Sequence, residues 1–120
     1  MYTFQFDAAC ELLDIRWQGP FTPLAVADYA RKLKSRFIAE GFRPGYLLRM
    51  DMTDSFVQPR EVLGAFYESF YDFPKARRIA IVTPSAVARM QVRRIMTQPY
   101  LRIFETAGPA LDWLLEPELV

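Results

Sequence analysis

Asp51 and Asp54 stand three residues apart, with Thr53 and Ser55 between and after them, at the end of an apolar run. Two carboxylates can share acid and base roles or hold a magnesium ion when a fold brings them into one cleft. Nothing close by in the sequence adds a nucleophile and an orienting group. The same residue types also make Asx-turns and helix caps, which use their oxygens for local hydrogen bonds. The chain has no histidine, which removes the commonest general base and the commonest metal ligand. With one cysteine and no histidine the usual zinc sites are excluded. Cys10 falls at a turn with no group beside it to lower its pKa, and alone it forms no internal disulfide.

Three features point to binding rather than reaction. Arg49 lies in the middle of an apolar run and shares a strand face with Leu47 and Asp51. A guanidinium inside a covered sheet needs a partner: it pairs with Asp51, reaches solvent at an incompletely covered face, or holds an anion. Arg89 and Arg93 are one helical turn apart beside Arg94, suited to an acidic partner or a phosphate, or to a solvated face. Phe66, Phe70 and Phe73 suffice for one core stripe, yet Tyr67 and Tyr71 lie beside it and Phe56 just before it. So broad an apolar arc makes a pocket wall, a lid or a subunit contact, or a wide core whose tyrosine hydroxyls reach water. Met50, Met52, Met90 and Met96 add adaptable filler or pocket lining.

The elements that must position these residues follow from periodicity. Tyr2, Phe4 and Phe6 alternate with polar residues, as do Leu13, Ile15 and Trp17, giving a hairpin that Gly19-Pro20 ends. Thr22-Pro23 opens a helix with core stripe Val26, Ala30, Leu33 and Phe37, and Gly41 falls where a C-terminal cap belongs. Tyr46 to Met52 is a third strand, followed by a polar loop at Thr53-Asp54-Ser55 and a helix from near Pro59 to Pro74. Ile79 to Val82 reads as a parallel strand buried on both faces. Thr83-Pro84 repeats the cap-then-proline opening, with Val87, Met90 and Ile95 facing inward. Leu101, Ile103 and Phe104 form a fifth strand, and Thr106 caps a last helix that turns Ala110, Trp113 and Leu114 to the sheet. The order predicts one α/β domain over residues 1–120: a mixed, mostly parallel five-stranded sheet with an N-terminal hairpin and about four helices. Its strand C-termini are where a site is expected.

At 120 residues with 52% apolar content and a net charge of +1, the chain has no general attraction to nucleic acid or anionic membrane. No apolar run reaches the ~20 residues of a spanning helix. Met1 to Asp7 has neither the basic flank nor the apolar block of a signal peptide. The expected setting is the cytoplasm.

The ordered set Leu13-Asp14-Ile15-Arg16-Trp17-Gln18-Gly19, Tyr46-Leu47-Leu48-Arg49-Met50-Asp51, Arg78-Ile79-Ala80-Ile81-Val82, Arg89-Met90-Gln91 and Ala110-Leu111-Asp112-Trp113-Leu114 resembles the STAS-like, SpoIIAA-like group of small bacterial proteins. The resemblance spans nearly the whole chain. It implies a non-catalytic binding or regulatory module without a cofactor. In anti-sigma-factor antagonists of this fold a serine at the start of the helix after the third strand is phosphorylated. Here that place falls near Pro59-Arg60, and Ser55 reaches it only through a gap. The expected function is therefore recognition of a protein partner or a small apolar, lipid-like ligand. Phe56, Phe66, Tyr67, Phe70 and Tyr71 would form a wall or lid, with Arg49, Asp51 and Ser55 for polar contacts. Spare aromatic surface also suits a homodimer. The alternatives are a phosphoswitch of the anti-sigma-factor-antagonist type and a carboxylate-based enzyme.

Overall fold

The computed structural model describes residues 2–55 and 58–117. Strand β1 (Tyr2–Asp7) and strand β2 (Leu12–Gln18) form an antiparallel hairpin whose register runs unbroken from Tyr2 opposite Trp17 to Asp7 opposite Leu12. Helix α1 (Pro23–Ala39) leads to strand β3 (Leu47–Asp54), helix α2 (Arg60–Phe70) to strand β4 (Arg78–Val82), and helix α3 (Ala86–Ile95) to strand β5 (Leu101–Phe104). Helix α4 (Ala107–Leu114) follows. The sheet order is β1-β2-β3-β4-β5, and every pair after the hairpin is parallel.

Local chemistry explains the helix limits. Thr22 Oγ1 accepts from Ala25 N (3.2 Å) and Pro23 occupies the first helical position, so α1 starts where an orphan donor is met and a missing N–H costs nothing. At its end Gly41 takes φ +71°, Phe42 N donates to Phe37 O (3.1 Å) and Gly41 N to Ile38 O (3.0 Å). This is a Schellman cap, and the Phe37 and Phe42 rings meet across it at 5.8 Å.

Three expectations change. Strand β3 continues through Thr53 and Asp54 rather than ending in a loop, because Gln18 pairs with Asp54 after a register shift and Gly19 N donates to Asp54 O (2.9 Å). Helix α3 is capped by Ser85, whose Oγ accepts from Ala88 N (3.1 Å), and not by Thr83. Its buried residues are accordingly Ala88 and Val92, while Val87 and Met90 are 53% and 57% exposed. Thr106 does hold the cap position of α4, but its side chain makes no capping bond.

Successive parallel strands that step one way across a sheet place right-handed crossover helices on one face. The core confirms this. Leu13, Ile15, Leu48, Ile79 and Ile81 share a cluster with Val26 of α1, Val62 of α2 and Val92 of α3. The opposite face packs Leu12, Leu47, Ala80 and Val82 against Ala110 and Leu114 of α4 alone. The alanines let α4 approach closely, and each fully buried Leu or Val contributes about 1.5–3 kcal/mol.

Candidate functional site

The helical face is not closed. Phe66 of α2 stacks on Trp17 of β2 with ring centroids 4.2 Å apart, and Tyr29 of α1 meets both Phe66 (6.1 Å) and Phe70 (5.4 Å) edge-on. These rings hold α2 against α1. Between α2, α3 and the sheet they leave a cavity of about 350 Å³, within the ~300–1,000 Å³ of small-molecule sites. Leu48, Met50 and Met52 of β3 and Ile79 of β4 line its floor, Leu63, Phe66 and Phe70 one wall, Val92 and Ile95 the other.

Both ends of the cavity carry polar groups. Near the strand C-termini Gln58 N donates to Gln91 Oε1 (3.3 Å) and Gln91 Nε2 donates to Gln58 O (3.0 Å), while Phe21 N donates to Gln58 Oε1 (3.1 Å). The buried Gln58 thus ties the start of α2 to α3 and to the segment before α1. At the far end Tyr46 Oη donates to Pro74 O (2.9 Å), fastening the segment after α2, and Lys75, Gln98 and Tyr100 join the lining. Burial pushes the Tyr46 and Tyr29 hydroxyls well above the usual phenol range. The Trp17 indole N–H lies beside the Tyr29 hydroxyl, and both are buried without a well-formed hydrogen bond among the described residues.

The residues singled out from sequence divide between two places. Phe66, Tyr67, Phe70 and Tyr71 line the cavity, with Tyr67 and Tyr71 55% and 76% exposed at its rim. Phe56 lies outside the described residues. Arg49 and Asp51 are on the other face of the sheet. Arg49 pairs not with Asp51 but with Asp14, its direct neighbour in the β2–β3 register: Nε donates to Oδ1 (3.1 Å) and Nη2 to Oδ2 (2.5 Å), with Nη1 donating to Ala107 O (3.2 Å) at the start of α4. The hydrogen bonds from Arg49 to Asp14 hold the guanidinium pKa above its ordinary value, against the pull of burial. Asp51 Oδ1 accepts from Thr53 N (2.9 Å) and Thr53 Oγ1 (2.6 Å), an Asx-turn, and Asp54 is paired with Arg16. Ser55 Oγ donates to Met52 O (3.0 Å). The carboxylates of the strand tip are therefore engaged locally and do not converge on the cavity. Among the described residues no cluster of three or more His, Cys, Asp or Glu side chains is placed to hold a metal ion, and no helix is long and apolar enough to cross a membrane.

Sequence reasoning missed Gln58, Gln91 and Gln98. A glutamine four residues before Ile95, on an otherwise apolar helix stripe, was the available signal for Gln91. Gln58 had none.

A five-stranded mixed sheet with three helices on one face and one on the other is the SpoIIAA-like, STAS-like fold, and this chain adopts it. A protein of Shewanella loihica from the DUF3478 family, described as having a SpoIIAA-like fold, superposes with a TM-score of 0.73 at 18% identity, covering 94% of this chain and 93% of its own. An anti-sigma factor antagonist from Mycobacterium paratuberculosis gives 0.64 at 11% identity over 97% and 96% of the two chains. The unphosphorylated anti-sigma factor antagonist SpoIIAA gives 0.61 at 14% identity over 94% and 96%. No protein-family model and no curated protein matches the sequence.

Proposed function

We propose that this chain is a cytoplasmic, non-catalytic recognition module that takes a small apolar, lipid-like ligand into the cavity between the sheet and α2. The observation that carries this reading is the cavity itself: apolar floor and walls, with polar groups confined to its ends. A site of that kind binds by excluding water from a chain or ring system and orients the ligand at one end. No reaction is assigned to it, since Asp51 and Asp54 are already held by Thr53 and Arg16.

Native mass spectrometry of the chain purified from cells, and titration with the fluorescent fatty acid cis-parinaric acid, test the reading. A bound small-molecule mass or saturable fluorescence is expected, and both should vanish in the double variant Met50→Phe/Met96→Phe, which fills the cavity from the floor and from the end of α3 while remaining apolar. An empty mass that persists through lipid additions overturns it.

A regulatory role with a protein partner is supported by two fold neighbours described as anti-sigma factor antagonists and by the exposed rings of Tyr67 and Tyr71. On that reading Tyr67→Glu or Tyr71→Glu abolishes capture of the partner in a pull-down while the thermal melt is unchanged. A Ser55 phosphoswitch is not favoured, because its hydroxyl is turned back onto Met52 O.

A further inference from the structure

The two ends of the cavity differ in charge. Where the strands finish, the Gln58 and Gln91 amides are neutral and already bonded to backbone groups. Where they begin, Tyr46, Lys75 and Tyr100 lie just before β3, β4 and β5. Among the described residues Lys75 is the one charged side chain in the lining, and no Asp or Glu joins it there. Its ammonium group makes no ion pair or hydrogen bond among the described residues. The chain's other lysines are both paired, Lys32 with Asp28 (3.0 Å) and Lys34 with Asp72 (3.6 Å).

We infer that the cavity takes an aliphatic chain ending in a carboxylate, with the head beside Lys75 and the tail toward the glutamine clasp. This inference rests on the cavity being a ligand site and adds the class and direction of the ligand. Both donors at the head end stand on fixed backbone: Gly45 N donates to Lys75 O (2.8 Å) and Ile79 N to Tyr100 O (3.0 Å). A lysine offers three donors and no acceptor, and a tyrosine hydroxyl can donate one more. Gln98 borders the same end with its Oε1 buried and unbonded among the described residues. Turning that amide over presents an Nε2 donor in its place.

Charge selects the head group. One cation balances one carboxylate, which accepts through both oxygens. A phosphate monoester brings roughly −1.5 to −2 near neutral pH and leaves an excess that no second lining cation meets. A cationic head is repelled, and a neutral one leaves the ammonium without a counter-charge. Lys75 is exposed, so its ammonium keeps contact with water and the pair escapes the heavy desolvation cost of a buried one. Burial of the tail supplies the affinity, and the lysine supplies preference and direction.

Isothermal titration calorimetry of the full chain with dodecanoic acid and dodecan-1-ol at neutral pH tests the inference, with circular dichroism melts as the folding control. The acid is expected to bind about fivefold more tightly than the alcohol of equal chain length. Lys75→Met keeps an apolar stem and should erase that preference, weakening the acid and leaving the alcohol and the melt unchanged. Lys75→Arg should retain it. No preference for the acid in the wild-type chain, or a preference that survives Lys75→Met, overturns the inference and leaves the cavity reading standing. Binding of neither compound overturns the cavity reading and the inference with it.

Discussion

The two faces of the sheet are built on opposite plans. The α4 face is closed by an eight-residue helix seated on Leu12, Leu47, Ala80 and Val82, with the Arg49–Asp14 pair sealing its margin. Arg78 donates to Trp113 O (2.7 Å) and Glu116 O (3.0 Å), ending that helix on a cation. The opposite face carries three helices and most of the aromatic residues, and yet contains the cavity. Small residues allow close approach, whereas large rings in edge-on contact prop helices apart as effectively as they join them. Stability and vacancy are thus assigned to different sides of one sheet.

The sharpest way to break this contrast is to make the same truncation on each side. Leu114→Ala removes a fully buried side chain from the tight face and should cost about 3 kcal/mol in denaturant unfolding. Leu63→Ala only enlarges an existing cavity and should cost about 1 kcal/mol. Equal losses would mean the helical face is as tightly packed as the other. Next in size, Arg49→Met strands the Asp14 carboxylate and should cost about 2 kcal/mol. Asp14→Leu/Arg49→Met should recover most of that in a double-mutant cycle. If the single and double variants are equally destabilised, the pair does not seal the α4 face. Tyr67→Glu and Tyr71→Glu, at the rim, should each change unfolding free energy by no more than about 0.5 kcal/mol.

The smallest expected effect is on the acid limb. Lys32, then Arg31 and Tyr2, hold the Asp28 carboxyl below its usual range. A lowered folded-state pKa contributes stability that is present above the ordinary carboxylate value and lost as pH falls through the folded value. Thermal melts below about pH 4 should therefore drop less steeply for Asp28→Asn than for the unaltered chain. Identical slopes would remove Asp28 as a contributor.

What was legible in the sequence was what depends on neighbours along the chain. The hairpin followed from period-two alternation, and α1 from Thr22-Pro23 at one end and Gly41 at the other. The inward face of α3 was misread in part because Val87 and Met90 are among its larger apolar residues, whereas the stripe turned to the sheet runs through the buried Ala88 and Val92 to the half-buried Ile95, which the sequence did place inward. The partner of Arg49 was illegible because Asp14 is 35 residues away and becomes adjacent only once the β2–β3 register is known. The excess of rings on α2 announced a broadened apolar surface. That they border an open space is set by how far α2 stands from β3 and β4, a distance no local pattern encodes.

The Gln58–Gln91 clasp has a consequence for control. Among the described residues, the hydrogen bonds that form it join side-chain amides to backbone groups and include nothing that gains or loses a proton across the physiological range. Neither acidification nor rising ionic strength loosens such a tie. Whatever opens that end of the molecule must do so mechanically, by competing for the amides or by prying the start of α2 away from α3.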